Sequence, residues 1–566
     1  MMRCKLRRIA IIAARQARLG LSWAFAWIAM FGLGCTSPRD WVDNGFKVGP
    51  NYRKPCAPIA RDWIDADDRR LIGGPVDATA WWAASFNDPV LNQLITEAYS
   101  QNLTVRQAGA RITQARALRQ IVVGNFFPQQ QSVSADYSHN LRTGSGGDRH
   151  FSAWRGSFGL AWEIDFWGRY RRAIESADAD LDASIYEFGD VVVTLVADVA
   201  ATYIDIRTLQ TRLKLIKLNV DNQRKTYELT EIRFRNGESS EVDVQQAKSS
   251  LVQTEALVPQ VETSLRQSQN LLCILLGMPP EDILEILGPG KIPDVKPEIE
   301  IGIPASTLLQ RPDVRRAERL LASQSALIGV AESELYPHIA LVGTVGRSSD
   351  QFDGLFRGGS GFGSVGPSFD WNVLNYGRLV GNIELQEARF QELLAAYRQT
   401  ALNANLEAEN AIVEFLKNQE RLRLQLEAAE AADKTNELIT LQFLEGEEID
   451  FNRVFSVQNT KTQQEVSAAA AKGDVAQSVV AIYRSLGGGW PSPFLTQPIM
   501  TVGEQDTAGI GEAESDDAMG DEAPDGSAED AADEADTAEE IETPPAERES
   551  PIEEVLENPV DESTDD

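Results

Sequence analysis

Residues 168–237 read GRYRRAIESADADLDASIYEFGDVVVTLVADVAATYIDIRTLQTRLKLIKLNVDNQRKTYELTEIRFRNG. Between the two terminal glycines stand 68 residues with no proline and one internal glycine, Gly189. Val192, Val196, Val199, Tyr203, Ile206, Leu213, Ile216 and Val220 recur there at spacings of three, four and seven. That is a coiled-coil seam, narrower than the stripe of a helix on a globular core. A helix of this length extends about 100 Å at 1.5 Å per residue, too long for the inside of a compact domain. The turn FRNGESS that follows predicts reversal into a shorter antiparallel helix ending at Gly277.

The same text occurs twice. Phe127-Pro128 matches Tyr336-Pro337, Gly168-Arg169 matches Gly377-Arg378, and Phe234 with Gly237 matches Phe443 with Gly446, each 209 residues apart. Val105-Arg106 with Ala108 matches Val314-Arg315 with Ala317 at the same separation, and Leu276-Gly277 matches Leu486-Gly487 at 210. A constant offset across such landmarks marks a duplication. Each copy is expected to run helix, strand pair, very long helix, return helix. The first helix is predicted over Pro89–Asn125 and its counterpart over Pro312–Leu335, both begun by a proline and closed before one.

Between the helices the period changes to two. Ser132–Tyr137 and Phe158–Ile164 alternate, as do Ile339–Val345 and Phe362–Trp371, with the Gly-rich loops TGSGGDRH and DGLFRGGSGFGS between them. Such segments suit transmembrane barrel strands, although the period alone fits a soluble sheet with one wet face equally. Edges discriminate. Known membrane barrels start at about 8 strands, and an open sheet in lipid leaves unpaired backbone groups costing several kcal/mol each. Strands inside a membrane must therefore be pooled from several chains, and three chains would supply 12. Gly361–Gly366 satisfies GxGxxG, but Pro367 follows and no helix opens, so it reads as a hairpin loop and not a dinucleotide site.

Composition removes other classes. The chain has 566 residues, a net charge of −32 and three histidines; the charge argues against a nucleic-acid partner, and a His-rich metal site is not expected. No nucleophile–base constellation appears, so neither an enzyme nor a cofactor is expected. Residues 503–566 hold 26 acidic residues and one arginine, leaving the rest of the chain near neutral at −7. That tail has no aromatic residue and reads as disordered. At the other end six basic residues precede the apolar run Leu19–Gly34 and then Cys35, the pattern of a secretory signal. Cys35 is placed for lipidation, although Gly32 stands where such sites usually carry Leu. Cys56 and Cys273 are expected as two free thiols.

These residues resemble one family. Val48-Gly49-Pro50-Asn51-Tyr52-Arg53-Lys54-Pro55, Trp81-Trp82, Phe86-Asn87-Asp88-Pro89-Val90-Leu91, Phe166-Trp167-Gly168-Arg169 and Arg311-Pro312-Asp313-Val314 are similar to the signatures of the NodT/TolC-like outer-membrane efflux proteins, in order over residues 46–490. The resemblance implies a mixed α and β membrane protein. A homotrimer would build one 12-stranded outer-membrane β-barrel, four strands per chain, continued by a long periplasmic α-helical barrel. It implies the exit duct of a tripartite efflux system, contacting outer-membrane lipid, a periplasmic adaptor and an inner-membrane transporter, and passively conducting small molecules such as drugs or metal ions. The expected divisions are a signal peptide (1–34), a lipidated extended segment (35–88), two repeats (89–290 and 291–490) and an acidic tail on the periplasmic side (491–566). A type I protein-secretion channel and a non-pore coiled-coil scaffold are the competing readings.

The resemblance also puts the two helical turns at the periplasmic tip. In the first, Gly237–Ala247 with Asp243 fits the family pattern. The second, with Glu447, Glu448, Asp450, Arg453 and Ser456, departs from it: Ser456 and Asn459 stand where many relatives carry an Asp and an Arg. Asp450 and Arg453, three apart on a helix, are the expected substitute pair.

Overall fold

The computed structural model describes residues 38–73, 79–143, 149–288, 290–302, 307–444 and 451–490. Cys35, Glu447, Glu448, Asp450 and the acidic segment lie outside them. The N-terminal segment carries helices α1 (Pro38–Asp43) and α2 (Trp81–Phe86) and strand β1 (Leu71–Ile72). The first repeat follows as α3 (Pro89–Gln101), α4 (Leu103–Gly124), β2 (Gln130–Arg142), β3 (Arg149–Glu163), the 67-residue α5 (Arg169–Arg235), α6 (Glu241–Glu255) and α7 (Leu257–Leu275). Then α8 (Leu284–Leu287) and β4 (Ile299–Glu300) lead into the second. That repeat comprises α9 (Pro312–Ser333), β5 (His338–Ser349), β6 (Gly361–Asp370), the 67-residue α10 (Arg378–Leu444) and α11 (Phe451–Ser485).

The landmark glycines act through backbone geometry. Gly168 and Gly377, at φ +85° and +83°, admit the chain to the two long helices. Gly277 and Gly487 are also left-handed, at +79° and +76°. Met278 N bonds to Cys273 O and Gly488 N to Tyr483 O, the six-to-one bond of a glycine helix stop.

Two predicted helices are interrupted. The expected helix over Pro89–Asn125 breaks at Asn102, whose side-chain oxygen caps Thr104 N (2.8 Å) while its amide donates to Leu275 O (2.9 Å). A tertiary contact thus supplies the reason for a local break. The return helix breaks at Ala256, shortly before Pro259, whose missing N–H is best tolerated in a first helical turn.

The four long strands form one antiparallel sheet in the order β2-β3-β5-β6. Its central seam, β3 to β5, joins the two repeats and pairs Glu163 with Ala340. The main apolar core lies among the helices, where Trp81, Leu91, Ile95, Tyr203, Phe415 and Tyr483 cluster, with Trp81 stacked on Tyr483 at 5.0 Å. The motif residues lock its edges. Asp88 caps α3 and accepts from Tyr203 Oη (2.6 Å). Arg311 binds Ser485 O, Asp313 and Glu407, tying the start of α9 to α10 and the end of α11.

The N-terminal segment lies along the helices as a strap. The Val48-Gly49 turn docks where Gly329 leaves α9 bare: a Cβ on Gly49 would fall 2.3 Å from Gly329 Cα. Buried Arg172 reaches Val48 O (3.0 Å), Gly49 O (2.8 Å) and Asn51 Oδ1 (3.1 Å). Cys56 is an exposed free thiol and Cys273 a buried one, as the sequence predicts.

Candidate functional site

In an antiparallel ladder, directly opposed residues point to the same side. Val133 opposes Phe158, Tyr137 opposes Trp154, Phe158 opposes Val345, Trp162 opposes Leu341 and Ile339 opposes Phe369. One side of the sheet is therefore apolar through its middle, with Gln131 near one end and His139, His150, Ser152, Arg347 and Ser349 toward the other. The other carries Ser132, Ser134, Asp136 and Asn140, then Ser157 and Arg155, then Thr344 and Ser348, then Ser364 and Ser368, together with Phe151, Val342 and Phe362. Along β2 and β6 nearly every residue is exposed, Val133 at 84% and Val365 at 78%. Both outer strands end the sheet without a hydrogen-bonded neighbour among the described residues. A soluble sheet with one wet face would have buried the apolar side; here none of the described residues on either side is buried. Aromatic rings mark both ends of it, Tyr137 on Trp154 (4.4 Å) and Trp154 on Phe352 (5.1 Å) at one, Trp162 and Phe369 at the other.

The sheet is clamped to the long helix by polar contacts. Glu163 at the end of β3 meets His338 Nδ1 at the start of β5 (2.8 Å) and accepts from Tyr170 Oη (2.9 Å). Arg169 in the first turn of α5 reaches Glu334 (3.2 Å). Trp162 Nε1 donates to Phe126 O (3.2 Å), and in the other repeat Trp371 Nε1 donates to Leu335 O (3.0 Å).

The first of the two helical turns expected at the tip is held by a capping box. Ser240 opens α6, its hydroxyl accepting from Asp243 N (3.2 Å), while Asp243 Oδ2 accepts from Ser240 N (3.0 Å) and the hydroxyls of Ser240 (2.8 Å) and Ser239 (3.0 Å). Burial pulls the Asp243 carboxyl upward, but these hydrogen bonds outweigh it and hold it below the usual carboxylate range. Its contribution to stability is present above the ordinary carboxylate value and is lost as pH falls through the lowered one. Ser240→Ala is expected to cost about 1 kcal/mol of local stability, read as faster amide exchange confined to the 237–247 turn.

Of the other expected tip residues, Arg453 and Ser456 are exposed on the first turns of α11, while Glu447, Glu448 and Asp450 fall outside the described residues. The pairing of Asp450 with Arg453 falls there with them. A polar layer just behind the tip was not expected from sequence. Asn459 Oδ1 accepts from Ser250 Oγ (3.1 Å) and Gln223 Nε2 (3.4 Å), and Gln458 Nε2 donates to Thr226 Oγ1 (3.0 Å). Lys461 contacts Asp433 (2.5 Å) and Glu465 (3.7 Å); burial lowers its ammonium, but the two carboxylates outweigh this and hold it above its ordinary value. A cleft of about 380 Å³ lies there between α5, α10 and α11, lined by Asn219, Gln223, Thr226, Asn436, Gln458 and Lys461 among others. Asn219 and Gln223, on the buried face of α5, are the signal that could have found it.

No helix among the described residues is long and apolar enough to cross a membrane, and no group of three metal-ligating side chains occurs among them. The outer membrane efflux protein family matches residues 94–278 and 303–488, one match to each repeat. Nodulation protein T of Rhizobium leguminosarum bv. trifolii is 30% identical over 452 residues, covering 79% of this chain and 95% of that protein. The pyoverdine export outer membrane protein OpmQ of Pseudomonas putida is 30% identical over 426 residues, 74% of this chain and 89% of that one. Among solved structures, the outer-membrane channel OprN aligns with a TM-score of 0.74 at 32% identity, over 78% of this chain and 99% of that chain.

Proposed function

Because this chain belongs to the outer membrane efflux protein family, we propose that three copies close their sheets into one 12-stranded barrel and conduct cargo passively out of the cell. The observation that carries this reading is the sheet itself: one side mostly apolar and exposed, the other mostly small and polar, and two open edges among the described residues. Lipid satisfies the first side and a water-filled lumen the second; only closure by neighbours satisfies the edges. The long helices then continue the conduit through the periplasm toward an adaptor and an inner-membrane transporter, which supply the energy. Cys35 carries the lipid anchor, and the strap leads from it to the helices. The chain itself performs no reaction.

Heat-resistant trimers in mild detergent and discrete conductance steps in planar bilayers test the reading. A purified, membrane-extracted chain that is monomeric and electrically silent overturns it.

The gate, in this reading, lies at the second turn with Glu447, Glu448, Asp450, Arg453 and Ser456, the Asp450 and Arg453 charges restraining neighbouring hairpins while Asp243 holds the first turn in shape. Asp450→Ala and Arg453→Ala are each expected to raise single-channel conductance several-fold. Unchanged conductance in both variants places the constriction elsewhere.

A further inference from the structure

The chain has three histidines in 566 residues, and the fold sets two of them side by side. His139 stands on β2 and His150 on β3, close to the last pair of the ladder, Arg142 with Arg149. His139 opposes Ser152 and His150 opposes Leu141, so the two are diagonal neighbours on one side of the hairpin. Long side chains reach each other across such a diagonal. Their rings lie 5.5 Å apart between centres and within 19° of parallel. The third histidine, His338, is engaged by Glu163 and Glu334 at the other end of the sheet.

Three features suit the pair to a metal ion. The first is spacing. An ion held by two imidazole nitrogens at about 2.0–2.1 Å and a tetrahedral angle keeps the ring centres roughly 5 Å apart. Rotation of the rings therefore completes the chelate without movement of the strands. The second is orientation. His139 Nδ1 lies 3.0 Å from Ser152 Oγ, which lies 3.4 Å from Tyr137 Oη. A ligating histidine donates its other ring N–H to such a partner, which fixes the tautomer and the ring plane. With Nδ1–H given to Ser152, Nε2 keeps its lone pair for the ion. The third is access. Both histidines are exposed, Arg142 alternates to the other side of β2, and Arg347 on β5 gives its Nη1 to Leu355 O (2.9 Å).

We propose that His139 and His150 bind one late first-row divalent metal ion, Cu²⁺ most tightly, and that the ion braces the free end of the β2–β3 hairpin. Imidazole selects Cu²⁺, Ni²⁺ and Zn²⁺ over the oxygen-seeking Mg²⁺ and Ca²⁺, and Cu²⁺ heads the series. No third His, Cys, Asp or Glu joins the pair among the described residues, so water fills the remaining positions. The ion has mechanical work to do, because β2 has a hydrogen-bonded neighbour on one side only among the described residues. A cross-strand chelate holds it to β3 where the ladder ends.

Both ligands belong to one chain, so the site does not depend on association of copies. Its surroundings do rest on the membrane reading given above. The aromatic pair Tyr137 and Trp154 (4.4 Å) lies one same-side step, about 7 Å, nearer the helices. In that reading the pair marks the outer interface, which leaves the histidines at headgroup level, open to dissolved ions.

The test uses the full-length protein in detergent, with Cys56→Ser to remove the exposed thiol, titrated with Cu²⁺ against excess glycine to suppress binding by carboxylates. Electron spin-echo modulation is expected to show two imidazole nitrogens on one bound ion. Ser152→Ala is expected to weaken binding about tenfold through the unheld ring, and Ser152→Thr to restore it. His139→Gln and His150→Gln should each cost at least as much as Ser152→Ala. Cu²⁺ should also slow amide exchange over residues 137–142 and 150–154 in the parent protein and in neither histidine variant. If both histidine variants bind Cu²⁺ with the affinity and spectrum of the parent, the ion sits elsewhere and the site is refuted. If the imidazole signal depends on both histidines but exchange ignores the metal, the brace is refuted. A chain that stays monomeric yet binds Cu²⁺ through both histidines would uphold the site while overturning the barrel.

Discussion

Val133→Arg is expected to abolish membrane assembly, whereas Ser134→Arg, one residue further on, leaves assembly intact and alters ion selectivity. Val133 stands 84% exposed in the middle of the apolar side, opposite Phe158. Ser134 faces the other way, its hydroxyl 3.0 Å from that of Ser157. An arginine on the lipid side of a barrel costs about 2–4 kcal/mol near the bilayer midplane, and the proposed trimer would carry three. The same side chain projecting into a lumen stays hydrated and adds positive charge to the path. The measurement is the yield of heat-resistant trimer in the outer-membrane fraction, followed by reversal potentials for the Ser134 variant. Equal assembly of the two variants would mean that the sides have been assigned wrongly.

The second large effect is expected far from the sheet. Gly49→Val should detach the N-terminal strap, because the residue adopts φ +81° and the added Cβ would fall 2.3 Å from Gly329 Cα. Left-handed strain and the displaced Arg172 hydrogen bonds together should cost about 3 kcal/mol or more. Limited proteolysis should then cut between residues 50 and 70 while the helices remain protected. Gly73→Ala is the control: it belongs to the same segment, has open space around it, and is expected to change stability by no more than about 0.5 kcal/mol. Equal protection of the Gly49 variant and the wild type would show that the strap is held elsewhere.

Much of the architecture was legible because it is written twice. Gly168 with Gly377 and Pro128 with Pro337 mark the same turns in both repeats, and a backbone that needs a left-handed residue or a missing N–H tolerates few substitutes. The seam residues from Val192 to Val220 were readable for a similar reason, since their burial depends on helical phase alone. The breaks were not readable. Asn102 interrupts a helix because its amide finds Leu275 O, a partner 173 residues away. The polar layer around Asn459 was missed because Asn219 and Gln223 on the buried face of α5 hint at it without naming their partners: Ser250 and Asn459 lie far off in sequence, and only the packing of α5, α6 and α11 brings them to Gln223. The sides of the sheet were half legible. Alternation announced two of them, but that the apolar residues of the four strands gather on one side followed only from the register that aligned them.

The pairing of β3 with β5 also constrains when the molecule can be made. Glu163 must wait for Ala340, so the ribosome releases a hairpin with bare flanks long before its mate exists. Pairings so distant in sequence form slowly, because the intervening loop has to close first. During that interval the newborn polypeptide exposes greasy surface to an aqueous compartment, the circumstance in which chains aggregate. Edits along this seam are therefore expected to slow maturation as well as to lower the stability of the finished sheet.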